Sequence, residues 1–194
     1  MTFKVWLKSK VADRALAPLR QEMAELIEND ASVIDIGCGT GDFLLLVAPT
    51  ISKGYGIDLD SNMIQHAQNM AKQNSYSHIK FDCLNAIATY GVEFDIAFST
   101  LCVHELRFEE ACQLLKTMAE HSTKIVIADY AQPRSLLAKF LIEIDEIVSG
   151  HYQRFRDYRS AKGIPTYAKR CNLRITRTIP SRIDGIVIWE LQSA

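Results

Sequence analysis

The 194-residue chain predicts an α/β fold, a mostly parallel sheet with helices on both faces, and three observations carry that prediction. Apolar runs of strand length alternate with helix-period stretches between residues 30 and 130. Three alternate glycines follow directly on the first of these runs. Two further β-branched runs, split by turn residues, close the chain over 173–194.

Val11, Leu16, Leu19, Met23, Leu26 and Ile27 approximate one stripe, predicting a helix over residues 10–29 that packs on the sheet. Val33-Ile34-Asp35-Ile36 is the first strand and runs into Gly37-Cys38-Gly39-Thr40-Gly41, after which a helix opens near Asp42. Tyr55-Gly56-Ile57-Asp58 is the second strand, and Asp60-Ser61 offers an N-cap for a helix beginning near Asn62. Ile79-Lys80-Phe81 leads to Asp82 and Cys83, and Phe94 to Ser99 reads as a fourth, buried strand. Phe108, Cys112, Leu115 and Met118 mark a helix before the fifth strand, Lys124 to Asp129. Leu173–Ile179 and Ile186–Leu191, separated by Pro180, Ser181, Asp184 and Gly185, predict a terminal hairpin.

Composition fits one domain: the chain is 48% hydrophobic and long enough to bury a sizeable core. The N-terminus lacks a basic stretch followed by a long apolar one, and no 18-residue uncharged apolar span occurs, so a cytoplasmic protein without a membrane span is expected. Cys38, Cys83, Cys102, Cys112 and Cys171 are scattered and lack C-x-x-C spacing, which argues against a disulfide frame or a zinc site. No metal is expected.

The glycine loop carries the chemistry. Alternate glycines let the backbone turn sharply and let a ligand approach N–H donors that a Cβ would block, and the helix that follows offers further amides to a carboxylate or phosphate. A dinucleotide fingerprint would space its glycines G-x-G-x-x-G, whereas here they stand G-x-G-x-G after Asp35. Asp58 closes a parallel strand at its carboxyl end, where its two oxygens can accept both hydroxyls of a ribose. The plainer alternatives are a tight turn for the loop and a solvated strand-end acid for Asp58.

The string DIGCGTG resembles the first motif of class I S-adenosylmethionine-dependent methyltransferases, and GIDLDSNMIQHA resembles the second. The second is most similar to the small-molecule group that includes the ubiquinone and menaquinone biosynthesis enzymes. The resemblance covers roughly residues 30–130. It implies a Rossmann-like seven-stranded sheet of order 3-2-1-4-5-7-6 and S-adenosylmethionine as cofactor. Gly37, Gly39 and Gly41 would seat the methionine part with Asp35 near its ammonium group, Asp58 would fix the ribose, Asp82 and Cys83 would lie at the adenine, and Leu59 is a further expected cofactor contact. Ser99, after the fourth strand, completes the expected cofactor contacts. The chain then divides into an N-terminal helical segment (1–30), a cofactor-binding core (31–130), a helical cap (131–172) and the hairpin (173–194) of a single domain.

Between the fifth strand and the hairpin lie about 40 residues more than a simple crossover needs, and substrate choice is expected there. Leu136, Leu137, Phe140, Leu141, Ile144, Ile147 and Val148 form one helical face, with Gly150 as a stop. His151, Tyr152, Phe155 and Tyr158 follow, interleaved with Arg154, Arg156 and Arg159. This segment either caps the crevice over an anionic substrate or anchors its rings to the core with the arginines solvated. The expected substrate contacts are Tyr130, His151, Tyr152 and Phe155. Residues 151–182 hold nine Lys or Arg against one acid, in a chain of net charge −1, so broad nucleic-acid binding is disfavoured while a local basic face leaves RNA or an acidic metabolite open.

His104 is the candidate general base, because its ordinary pKa lies near neutrality; a packing role is the alternative. Three classes follow: a methyltransferase acting on carbon, oxygen or nitrogen of a small molecule, a nucleic-acid methyltransferase using the basic insert, or a module that binds the cofactor without turnover. No N/D-P-P-Y/F/W string follows the fourth strand, which counts against methylation of base amino groups.

Overall fold

The computed structural model describes residues 13–87, 91–150 and 152–194. Seven strands form one sheet: β1 (Ser32–Ile36), β2 (Lys53–Asp58), β3 (Ile79–Cys83), β4 (Phe94–Thr100), β5 (Ser122–Tyr130), β6 (Leu173–Pro180) and β7 (Ile186–Ser193). Their order is β3-β2-β1-β4-β5-β7-β6, as expected. β1 to β5 pair parallel and β7 runs antiparallel between β5 and β6.

The central strands are near-continuous apolar runs because a parallel sheet is covered on both faces. Val33, Ile34 and Ile36 of β1, Phe98 of β4 and Ile125 to Ala128 of β5 are all buried in one core. Helix α1 (Asp13–Ala24) turns Leu19 and Met23 into it. The helix expected over 10–29 is shorter at its end: after Ala24 the amides of Leu26 and Ile27 bond back as tight turns to Met23 and Ala24. Residues 10–12 of that expectation lie outside the described residues.

Helix α2 (Asp42–Val47) opens directly out of the glycine loop. Helix α3 (Ser61–Gln73) starts where the N-cap predicted it, with the Asp60 carboxylate accepting from the Asn62 amide at 3.0 Å. Helix α4 (Phe108–His121) precedes β5. The segment between β5 and β6 holds α5 (Leu136–Ser149), α6 (Tyr152–Ser160) and α7 (Ile164–Arg170), with Gly150 at φ 84° ending α5. The seven apolar residues of α5 do share a face, but that face is turned to solvent; Ile142, Glu143 and Glu146 are turned toward the protein.

Candidate functional site

Strand order reverses between β1 and β4, so the loops leaving these two strands diverge and open a crevice at their carboxyl ends. In the first loop Gly37, Gly39 and Gly41 all have left-handed φ, of 76°, 54° and 79°. Two of the glycines are enforced by packing. A Cβ on Gly37 would stand 2.8 Å from Cys102 Sγ in the loop after β4, and one on Gly41 would stand 2.7 Å from the Phe81 ring. A Cβ on Gly39 would meet nothing within 4 Å, so the backbone there faces open space that a bulky ligand can fill.

Asp58, half-buried at the end of β2, sets the height of this floor. One carboxylate oxygen accepts from the Gly39 amide at 2.9 Å and the other from the Asp60 amide at 2.8 Å. Each oxygen keeps a second lone pair for an incoming hydroxyl. Leu59 follows, 68% exposed. Asp82, exposed on β3, accepts from the Tyr55 hydroxyl at 2.8 Å, and the Cys83 thiol donates to the Leu59 carbonyl at 3.4 Å. Cys83 is level with Asp58 in the β2–β3 register, so these residues share one end of the sheet.

Asp35 lies deeper, only 3% exposed, in register with Gly56 of β2 and Phe98 of β4. Burial pushes its carboxyl up to about 7, the Asp58 charge adds to the rise, and Arg20 opposes it. Ser99 is fully buried and its hydroxyl donates to the Ile36 carbonyl at 3.1 Å, so it braces the floor from behind rather than meeting a ligand. The cofactor contact expected at Ser99 therefore finds no accessible surface on that residue.

The loop after β4 carries Leu101 at φ 48°, a strained conformation for that residue, and then a one-turn 3-10 helix, Val103–Glu105. His104 in that turn is 2% exposed. Its Nδ1 is 2.6 Å from an Asp129 oxygen and its Nε2 is 3.3 Å from a Glu146 oxygen, while its backbone amide donates to the other Asp129 oxygen at 3.1 Å. Burial alone would lower the imidazole pKa, but the two carboxylates outweigh it and hold it at about 10. Both ring nitrogens thus face carboxylates, an arrangement that favours the packing role over the expected base.

Sequence reasoning missed both partners. Asp129 is next to last in β5, near the carboxyl end as Asp58 is in β2, a positional signal that could have marked it. Glu146 had no such signal, since it is one of several charged residues opposite the apolar face of α5 and only tertiary packing brings it to His104.

The expected substrate residues converge in part. The Tyr130 ring lies 4.7 Å from that of His104 and 5.4 Å from that of Phe155. The Tyr158 hydroxyl donates to the Tyr130 carbonyl at 3.0 Å. Phe155 and Tyr158 are thus buried anchors of the insert, while Arg154 donates to the Glu105 carbonyl and Arg159 pairs with Glu143. Tyr130, Tyr152, Arg156 and Lys162 line a cleft of about 760 Å³ that Trp189 closes from β7. His151 lies outside the described residues.

A doubly wound sheet whose glycine loop is tied to a strand-end carboxylate defines the class of α/β proteins that bind a nucleoside-bearing ligand at the switch point. Within that class, the chain belongs to the methyltransferase domain family, whose sequence pattern matches residues 27–161.

A mouse tRNA (uracil-5-)-methyltransferase homolog A is 33% identical over 72 residues, 37% of this chain but 12% of that protein. Among solved structures, the mitomycin 7-O-methyltransferase MmcR is 13% identical with a TM-score of 0.70, over 98% of this chain and 60% of that one. The magnesium protoporphyrin IX methyltransferase of Synechocystis PCC 6803, solved with SAH bound, is 18% identical with a TM-score of 0.65, over 94% and 84% of the two chains. The chain therefore spans only a small part of the first relative and three fifths of the first structure.

Proposed function

We propose that the chain, acting as one domain, methylates a ring-bearing, anionic small molecule bound beyond the carboxyl ends of β4 and β5. One observation carries this: Asp58 holds the glycine loop by the Gly39 amide while open space lies over Gly39, which makes a cradle shaped for an adenosyl group. Gly37, Gly39 and Gly41 seat the methionine part, Asp35 faces its ammonium, Asp58 accepts from the ribose hydroxyls, and Leu59, Asp82 and Cys83 border the adenine. When bound, the sulfonium supplies an electrophilic methyl group. The chain's own part is alignment and exclusion of water, with Tyr130 and Tyr152 forming an aromatic wall, Phe155 backing Tyr130, and Arg156 at the cleft offering a cation to the acceptor. With both His104 nitrogens engaged by carboxylates, the acceptor enters ionised or passes its proton to solvent.

Similarity of GIDLDSNMIQHA to the ubiquinone and menaquinone group supports an aromatic acceptor. The second reading, methylation of RNA, is favoured by the match to a tRNA methyltransferase homolog and by the basic 151–182 segment.

Labelled S-adenosylmethionine incubated with fractionated metabolite and RNA pools tests both. Label in a small aromatic acid supports the first reading. Label in RNA, with a gel shift weakening steeply as salt rises, replaces it with the second. Binding without label transfer in any pool leaves a non-catalytic module.

A further inference from the structure

The strongest feature outside the donor crevice is a helix turned inside out. Helices of folded domains bury their apolar stripe, yet α5 directs Glu143 and Glu146 toward the protein, where Arg159 and His104 hold them. Its outer arc carries Leu136, Leu137, Phe140, Leu141, Ile147 and Val148, each between 56% and 85% exposed. At about 100° per residue these fall within one arc of roughly 140°, a contiguous patch rather than scattered side chains.

We propose that α5 docks in the plane of an anionic lipid surface, with this arc sunk at the boundary between headgroups and acyl chains. Length decides between lying and crossing: 14 residues make a rod too short for a bilayer core about 30 Å thick. Charge decides the partner. With Glu143 and Glu146 engaged inward, Lys139 is an exposed cation beside the arc among the described side chains, and the adjoining cleft adds Arg156 and Lys162. Residues 151–182 as a whole carry nine cations against one acid. A second copy of the chain seated on the same face would bring two such basic rims together, whereas phosphate-bearing headgroups complement them. The inference goes beyond methyl transfer and does not depend on the identity of the acceptor.

Flotation of the full chain with vesicles tests it, comparing phosphatidylcholine alone with phosphatidylcholine containing about one third phosphatidylglycerol. The expected result is at least about tenfold more protein on the anionic vesicles, released as salt rises. The triple variant Leu137→Ser, Phe140→Ser, Val148→Ser should lose that binding while melting at the wild-type temperature. Should the triple variant misfold, Phe140→Trp gives a second measurement: its added emission should be quenched by brominated acyl chains only in anionic vesicles. Equal recovery with both vesicle types, no recovery with either, or wild-type binding by a folded triple variant overturns the proposal. So does a micromolar dimer that the triple variant dissolves without any vesicle binding, which would make the face a contact between copies.

Discussion

Asp35 sits in the ligand-free protein at a cost, and replacing it with asparagine makes that cost measurable. Its carboxyl titrates near 3.8 in the unfolded chain and at about 7 in the fold, chiefly through burial and then through the Asp58 charge. Between those values the native state binds more protons than the unfolded state, so stability falls as pH rises from 3.8 to 7 and stays reduced above. A shift of roughly three units corresponds to about 4 kcal/mol at pH 8. Asp35→Asn keeps the shape and removes the charge. The ligand-free variant should therefore melt about 10 °C higher than wild type at pH 8 and nearly level with it at pH 4.

Affinity should move the other way. A cationic ligand group beside the carboxylate draws its proton off, so wild-type affinity for S-adenosylmethionine should weaken by about tenfold for each pH unit below 7. The variant should bind more weakly at pH 8 and show no such slope. Scanning calorimetry for stability, and titration calorimetry in buffers of different ionisation enthalpy, read both halves. A variant that melts at or below the wild-type temperature at pH 8, or a wild-type affinity indifferent to pH, refutes the reasoning.

Asp58→Ala leaves the Gly39 and Asp60 amides without their acceptor and removes two charge-assisted bonds to a ribose, so S-adenosylmethionine affinity by titration calorimetry should fall about a hundredfold. His104→Gln strands two buried carboxylates, and chemical denaturation should record a loss of about 3–5 kcal/mol. The raised imidazole pKa makes that contribution complete below about 6.5 and lost as pH rises through about 10, so wild-type rate profiles should lack a histidine inflection near neutrality. Gly41→Ala forces a Cβ against the Phe81 ring and Ala67 at φ 79°, which should cost about 2 kcal/mol or more in denaturant titrations.

Periodicity and punctuation made the strands, the caps and the glycine loop legible, because each depends on interactions within a few residues. The Asp60 cap, the opening of α2 at Asp42 and the Gly150 stop are of this kind. Strand order came from a resemblance, since a parallel sheet's neighbours are chosen by packing between distant segments. The amino-acid sequence by itself determined that a ligand cradle follows β1 and that a carboxylate ends β2. Tertiary structure alone decided that His104 is clamped between Asp129 and Glu146, that Ser99 faces β1, and that α5 turns its apolar face outward. A helical stripe records which residues share a side, but only the charges waiting across the interface decide which side goes in.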